Sequence, residues 1–346
     1  PANALAVAEG AITASSTSSL TQVAPTGILR DSSSSNDTAD AILSPVAIIT
    51  RAIEFAALLA VVGSVMFRLG VLTQIAEIDA NTRAVIVRRS ASLGAVAAAV
   101  LVASALERLH LQSQMMSVET GEAAGHLSVL TMHTDWGIAW WTQVLGGLLA
   151  LAGLMLARSG RRQGWGIAAL AIIPIVISPA LGGHAKAAPN LTILSVGIDS
   201  LHVFGASCWL GTLLAMLVAG ISGMRTVTDG TAGRSIAALV NAFSPIALSA
   251  ASLVALTGIV TAWLRLDSIA ALWQSTYGKI LVIKLIAVVL VALAGAFNWR
   301  SMRPRLGEDS ATGKLQRSAT TEVALALVVL IITAILVATP THQPGG

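Results

Sequence analysis

The chain has 346 residues, of which 55% are hydrophobic and 11% are charged, and its mean hydropathy is +0.79. Because an average soluble domain carries about 25% charged residues, this composition excludes an ordinary soluble globule and a disordered chain. A net charge of only +4 gives no reason to expect nucleic acid as a partner. The single cysteine, Cys208, excludes a disulfide framework and a four-cysteine zinc site. The composition therefore predicts an all-α integral membrane protein.

The first part of the chain differs from the rest. Residues 1–44 are rich in Ser and Thr and carry too little apolar surface to order themselves, so we predict a flexible extracytoplasmic tail. Its first few small residues are similar to the end of a removed signal peptide. Residues 45–340 are predicted to form the transmembrane domain, and residues 341–346 a short tail.

Eight apolar runs are each long enough to cross a bilayer, and each is flanked by charged or turn-forming residues. The fourth run contains Pro174 and Pro179, which kink a helix and free backbone groups. The expected fold is a bundle of eight transmembrane helices. The runs lie near residues 46–72, 86–109, 136–157, 164–181, 193–221, 237–264, 280–299 and 319–338.

The distribution of Lys and Arg predicts the orientation of the bundle. About two-thirds of these residues fall in the loops and helix ends on one side, and that side should be cytoplasmic. Both termini then lie outside, on the periplasmic side. The expected location is a bacterial inner membrane, crossed several times.

On this topology all six histidines fall on the outer side or in the outer part of a helix. Several have methionines nearby, and imidazole together with soft thioether groups suits copper, with Met favouring Cu(I). For each residue alone the simpler interpretation is an ordinary polar group at a membrane surface, and His342 in the C-terminal tail is expected to be incidental. The predicted copper ligands are His110, Met115, Met116, His126, His133, His184 and His202.

His202 is the most informative histidine, because it lies about nine residues, or roughly 13 Å, into the fifth span. An ionisable residue at that depth is a functional hypothesis by default. Asp199, one turn earlier on the same face, is expected to orient the imidazole or to ligate directly. Trp209 is seven residues on and is expected to share the face. A histidine hydrogen-bonded to a neighbouring helix is the alternative.

Charged residues inside the spans form a second predicted group. Glu54 lies in the first span and Lys284 in the seventh, and a charge at that depth requires a partner. We expect Glu54 to pair with Arg51 or Lys284, and Lys284 to pair with Glu54 or Asp199. A structural ion pair or a snorkelling side chain is the alternative to a functional role.

The segment Leu181-Gly182-Gly183-His184-Ala185, followed by Asp199-Ser200-Leu201-His202 and Trp209-Leu210-Gly211, resembles the copper resistance protein D (CopD) family. Tyr277-Gly278-Lys279, Asn298-Trp299-Arg300 and Thr134-Asp135-Trp136-Gly137 also resemble the family pattern, over about residues 45–340. The chain departs at Thr212, where the family often has a second glycine. The resemblance implies copper handling at the inner membrane, with His184, Asp199 and His202 as motif positions.

These observations predict a copper-handling inner-membrane protein that binds Cu(I) or Cu(II) at an outer-facing His/Met site and transports or delivers it. A periplasmic copper carrier and the lipid bilayer are the expected partners. No ATP-binding loop, nucleophile–base pair or HExxH motif is present, so we expect no enzyme. Two alternatives stay open: a haem b protein linked to quinone, with His202 paired to His110 or His184, and a non-catalytic membrane scaffold.

Overall fold

The computed structural model describes residues 45–76, 78–120, 123–182, 192–224, 232–266, 268–302 and 309–339. Over these ranges the chain forms helices and no strand, which confirms the predicted all-α class. The helices are α1 (Pro45–Gln74), α2 (Ala80–Thr120), α3 (Ala123–His133), α4 (Asp135–Arg158), α5 (Gln163–Leu181), α6 (Thr192–Met224), α7 (Ala232–Arg265), α8 (Ala271–Gln274), α9 (Thr276–Met302) and α10 (Asp309–Ala338).

Within the described ranges, eight helices are long and apolar enough to cross a membrane, namely all except α3 and α8. Each predicted span overlaps one of them, so the prediction of eight spans is confirmed. The side of the membrane on which the termini lie stays a prediction. The predicted second span, 86–109, underestimates α2, because the polar turns at both ends of this helix are also helical.

The turn between α1 and α2 is held by polar contacts at its ends. Asp79 accepts a hydrogen bond from the backbone N–H of Thr82 at 2.9 Å, and the bonds from Thr82 lower the pKa of this carboxyl group. Arg83 donates to the Leu72 carbonyl at 2.9 Å and to the Ile75 carbonyl, which the last turn of α1 leaves without helical partners. These bonds fix where α1 ends and α2 begins.

A very close backbone contact joins α1 to α6. A Cβ atom added at Gly63 would lie 1.9 Å from the Gly211 carbonyl carbon, and one added at Gly211 would lie 2.0 Å from the Leu59 carbonyl oxygen. The two backbones therefore touch, as small residues allow between membrane helices. Gly211 ends a π-helical turn over Ser207–Gly211, and a second π-helical turn follows at Met216–Ile221.

Helices α4 and α5 form a tight antiparallel hairpin against α2. Gly160 turns the chain with φ +88°, a conformation that favours glycine, and Thr134 caps α4 by accepting from the Gly137 N–H. The indole N–H of Trp140 donates to the Ala105 carbonyl of α2 at 2.7 Å. Apolar residues of α1, α2, α4 and α5 form one continuous core, with Leu58, Leu101, Leu154 and Ile175 almost completely buried.

Candidate functional site

His202 lies between α6 and α7. Its Nδ1 is 3.0 Å from Thr257 Oγ1, and its Cε1 faces Gly258, where an added Cβ would approach to 3.3 Å. At 1.5 Å per residue, His202 is roughly 15 Å along α6 from Thr192, within the apolar span. The imidazole therefore packs against two neighbouring residues of α7: Thr257, which is polar, and Gly258, which has no side chain.

The hydrogen bonds of Thr257 define the protonation of the ring. Its hydroxyl lies 2.6 Å from the Leu253 carbonyl and 3.2 Å from the Val254 carbonyl, and both can only accept. Since a hydroxyl has one proton, the Thr257 oxygen must accept from His202, so Nδ1 carries the ring proton. The neutral imidazole then presents an unprotonated Nε2, the form in which histidine binds a metal ion.

Asp199 lies one turn before His202, but its partners are on α7. Its carboxylate accepts from the Thr261 hydroxyl at 3.1 Å and forms an ion pair with Arg265. The structure thus places Thr257, rather than Asp199, against the His202 ring. The sequence contains a signal for this arrangement that our sequence analysis did not use: Thr257, Thr261 and Arg265 are spaced four residues apart and share one face of α7.

Lys284 of α9 belongs to the same cluster. It is half-buried and interacts electrostatically with Asp199, Arg265 and His202. The sequence left Glu54 and Asp199 as candidate partners of Lys284, and in the structure Lys284 interacts with Asp199. The cluster carries two cationic side chains and one carboxylate, so the site has an excess of positive charge.

Glu54 forms a separate cluster with α2 and α4. Its carboxylate pairs with Arg108 at 2.7 Å and is 3% exposed, whereas Arg51 interacts electrostatically with both groups. Arg108 also approaches Gln143 Oε1 at 3.3 Å and lies 5.9 Å from the centre of the Trp136 ring. No described contact joins Glu54 to Lys284, so the charged residues that the sequence predicted as one group form two separate clusters. The physical reason is that Arg108 of α2 lies directly opposite Glu54.

The other predicted ligands are dispersed or lie outside the described side chains. His110 is exposed and contacts Gln114, and His133 is exposed at the end of α3; neither is among the contacts of His202. His184, and the side chains of Met115, Met116 and His126, are not described. Among the described residues, no group of three or more His, Cys, Asp or Glu side chains lies close enough to hold a metal ion.

Trp209 does not extend the His202 face. A π-helical turn begins between the two residues and adds about one residue per turn, so a spacing of seven no longer returns to the same side. Trp209 packs instead against the cluster that contains Phe67, Leu213 and Leu239. The following Gly211 is the point of contact with α1, and that contact accounts for the glycine of the Trp-x-Gly motif.

Known protein families match two segments of this chain. Residues 40–194 match the family described as copper resistance protein D-like, N-terminal domain, and residues 237–336 match copper resistance protein D. The chain is 26% identical over 318 residues to the copper transport protein CutJ of Bacillus subtilis (strain 168), an alignment that covers 89% of this chain and 55% of the relative. The chain thus spans about half the length of that relative. No solved structure matches the chain significantly.

Residues 195–236, which include most of α6, separate the two matched segments. The first segment reaches the start of α6 and the second lies within α7 to α10, so His202 falls between them while its partner Thr257 lies in the second. The chain therefore belongs to the copper resistance protein D family.

Proposed function

We propose that this protein captures copper ions at the outer end of the α6–α7 contact and transports or delivers them, with Nε2 of His202 as a ligand. One observation carries the proposal: Nδ1 of an imidazole inside a membrane span contacts a threonine hydroxyl that is itself directed at a backbone carbonyl, which leaves Nε2 as the nitrogen for a metal ion. Membership of a copper resistance family and similarity to a protein named as a copper transporter support copper as the cargo.

His184 is the proposed second ligand. It follows Gly182, the last described residue beyond α5, by two positions, and α6 begins at Thr192. Because this connection is short, we propose that His184 lies at the same end of the bundle as Asp199 and His202. His110, His126, His133, Met115 and Met116 remain proposed sources of further ligands, since all are near helix ends on that side of the bundle.

The charges around the site favour Cu(I) over Cu(II). Asp199 is engaged by Arg265 and Thr261, so it is a poor candidate for a direct ligand, and Lys284 adds a second positive charge. A monovalent cation is repelled less by this surplus than a divalent one. Neutral imidazole and thioether ligands also suit the softer Cu(I) ion.

The proposal is tested by titrating the detergent-purified protein with Cu(I) against a chromogenic chelator. We expect about one tightly bound ion per chain and a loss of affinity of at least tenfold in His202→Ala. Ser252→Ala, an exposed position on α7, is the matched control and should bind as the wild type does. Unchanged stoichiometry and affinity in His202→Ala would show that the site is elsewhere, and stoichiometric iron in the purified protein would favour haem.

Transport is a separate question from binding. Vesicles that contain the purified protein should accumulate copper faster than empty vesicles, and His202→Ala should abolish the difference. If the wild type binds copper but does not move it across the vesicle membrane, the role is capture and delivery to a partner.

A further inference from the structure

A groove with a volume of about 670 Å³ lies between α2 and α6, at the opposite end of the bundle from His202. Two cationic side chains, Arg88 and Arg89, line it, and no acidic residue does. Apolar side chains form most of the remaining wall, among them Leu93 and Val96 of α2 and Val218 of α6.

The charged and apolar parts of the groove are arranged along the helix axis. Leu93 and Val96 follow Arg89 by four and seven residues, so they continue the same face of α2 for about two turns, or roughly 10 Å, toward the middle of the span. Val218 lies opposite on α6, one turn before Ser222. A ligand that fills the groove must be anionic at one end and apolar along its length.

One of the two guanidinium groups is held in place. Arg89 donates to the Ser222 hydroxyl at 3.1 Å, and Ser222 in turn donates to the Val218 carbonyl. A guanidinium group has five N–H donors, so Arg89 keeps donors for a phosphate, and the exposed Arg88 next to it adds more. Two further arginines, Arg68 and Arg83, lie at the same end of the bundle and repel each other.

We infer that this groove is a binding site for one anionic phospholipid, with the phosphate of the headgroup between Arg88 and Arg89 and an acyl chain along Leu93, Val96 and Val218. A basic pocket between membrane helices on the cytoplasmic side is a known mode of anionic lipid recognition. The location agrees, since this end of the bundle is the one predicted to face the cytoplasm. A free phosphate ion would use the arginines but not the apolar wall.

The test measures the lipid bound to delipidated, detergent-purified protein by native mass spectrometry. The protein is incubated with equal amounts of phosphatidylglycerol and phosphatidylethanolamine that have identical acyl chains. We expect about one phosphatidylglycerol per chain and at least a tenfold preference over phosphatidylethanolamine. In Arg88→Gln/Arg89→Gln the preference should fall to near unity.

The control neutralises two arginines on the same end of the bundle but outside the groove, in Arg158→Gln/Arg161→Gln, and should keep the preference. An equal loss of the lipid preference in both double variants would mean that diffuse surface charge, and not the groove, attracts the lipid. That result would overturn the inference, as would the absence of a preference in the wild type.

A second variant separates a lipid from a free phosphate and does not depend on the arginines. Val218 is 45% exposed, so a tryptophan at this position can project from α6 and fill the apolar part of the groove without disturbing the core. We expect Val218→Trp to reduce phosphatidylglycerol binding at least tenfold, and millimolar inorganic phosphate not to displace the lipid from the wild type. Displacement by phosphate, together with normal binding to Val218→Trp, would assign the arginines to a phosphate site and contradict the lipid.

Discussion

The first five transmembrane-length helices and the last three are packed differently. In α1 and α6, 67% of the most apolar stretch is buried inside the protein, whereas the share is 17% in α7 and 11% in α9. Glycine and alanine allow α1 and α6 to meet backbone to backbone. Large apolar side chains such as Leu256, Ile259 and Leu293 point outward from α7 and α9, where lipid is the natural neighbour.

The difference in burial between α6 and α7 indicates which contacts hold the candidate site together. Helix α7 is joined to α6 by polar contacts, His202 with Thr257 and Asp199 with Thr261 and Arg265, on a helix that is otherwise mostly exposed. In hydrocarbon, where apolar surfaces gain little from association, such polar contacts contribute to holding helices together. The site therefore lies where a rigid part of the bundle meets a more loosely packed part.

The largest expected loss of stability comes from a substitution at the backbone contact between α1 and α6. Gly211→Ala places a methyl group 2.0 Å from the Leu59 carbonyl, and neither backbone can yield without moving a helix. We expect the variant to lose about 3 kcal/mol or more, near the upper end for overpacking, and to unfold earlier in thermal denaturation. Gly166→Ala is the control, because nothing lies within 4 Å of an added Cβ there. Similar melting of the two variants would contradict the close contact.

The next comparison is between the stability losses expected when the ion pairs Glu54–Arg108 and Asp199–Arg265 are broken. Glu54 is 3% exposed and Asp199 is 18% exposed, so Glu54→Gln should leave Arg108 with a larger uncompensated penalty than Asp199→Asn leaves at Arg265. We expect a loss of about 3 kcal/mol for Glu54→Gln and about 1 kcal/mol for Asp199→Asn. Denaturation of both variants in the same detergent checks the order. The reverse order would mean that the α6–α7 contact is the better packed of the two.

Thr257→Val tests the support of the imidazole. It preserves the shape of the side chain but removes the acceptor for the Nδ1 proton, so Cu(I) affinity should fall about tenfold. Thr142→Val, on the exposed face of α4, is the matched control. A normal Cu(I) affinity in Thr257→Val would mean that the hydrogen bond does not orient a ligand.

Lys284→Gln should have the smallest effect, and in the opposite direction. Removal of one positive charge near His202 relieves a repulsion of about 1 kcal/mol, so Cu(I) affinity should rise roughly fivefold. The same chelator competition measures it. Weaker binding in Lys284→Gln would show that the lysine stabilises the site instead of opposing the cation.

The sequence predicted the parts of this structure that depend on local pattern. The apolar runs located all eight spans, and the depth of His202 in the fifth run marked it as unusual. The close contact of Gly63 with Gly211 and the pairing of Glu54 with Arg108 were not predicted, because they join helices that are distant in the chain. The π-helical turn at Ser207–Gly211 has no simple sequence signal, and it changes which residues share a face with His202.

The most direct test of the account is X-ray absorption at the copper edge of the Cu(I)-loaded protein, since it counts imidazole ligands. The account predicts that His202→Ala, loaded to the same copper content, loses one imidazole from the copper environment relative to the wild type. An identical environment in the two proteins would contradict His202 as a ligand.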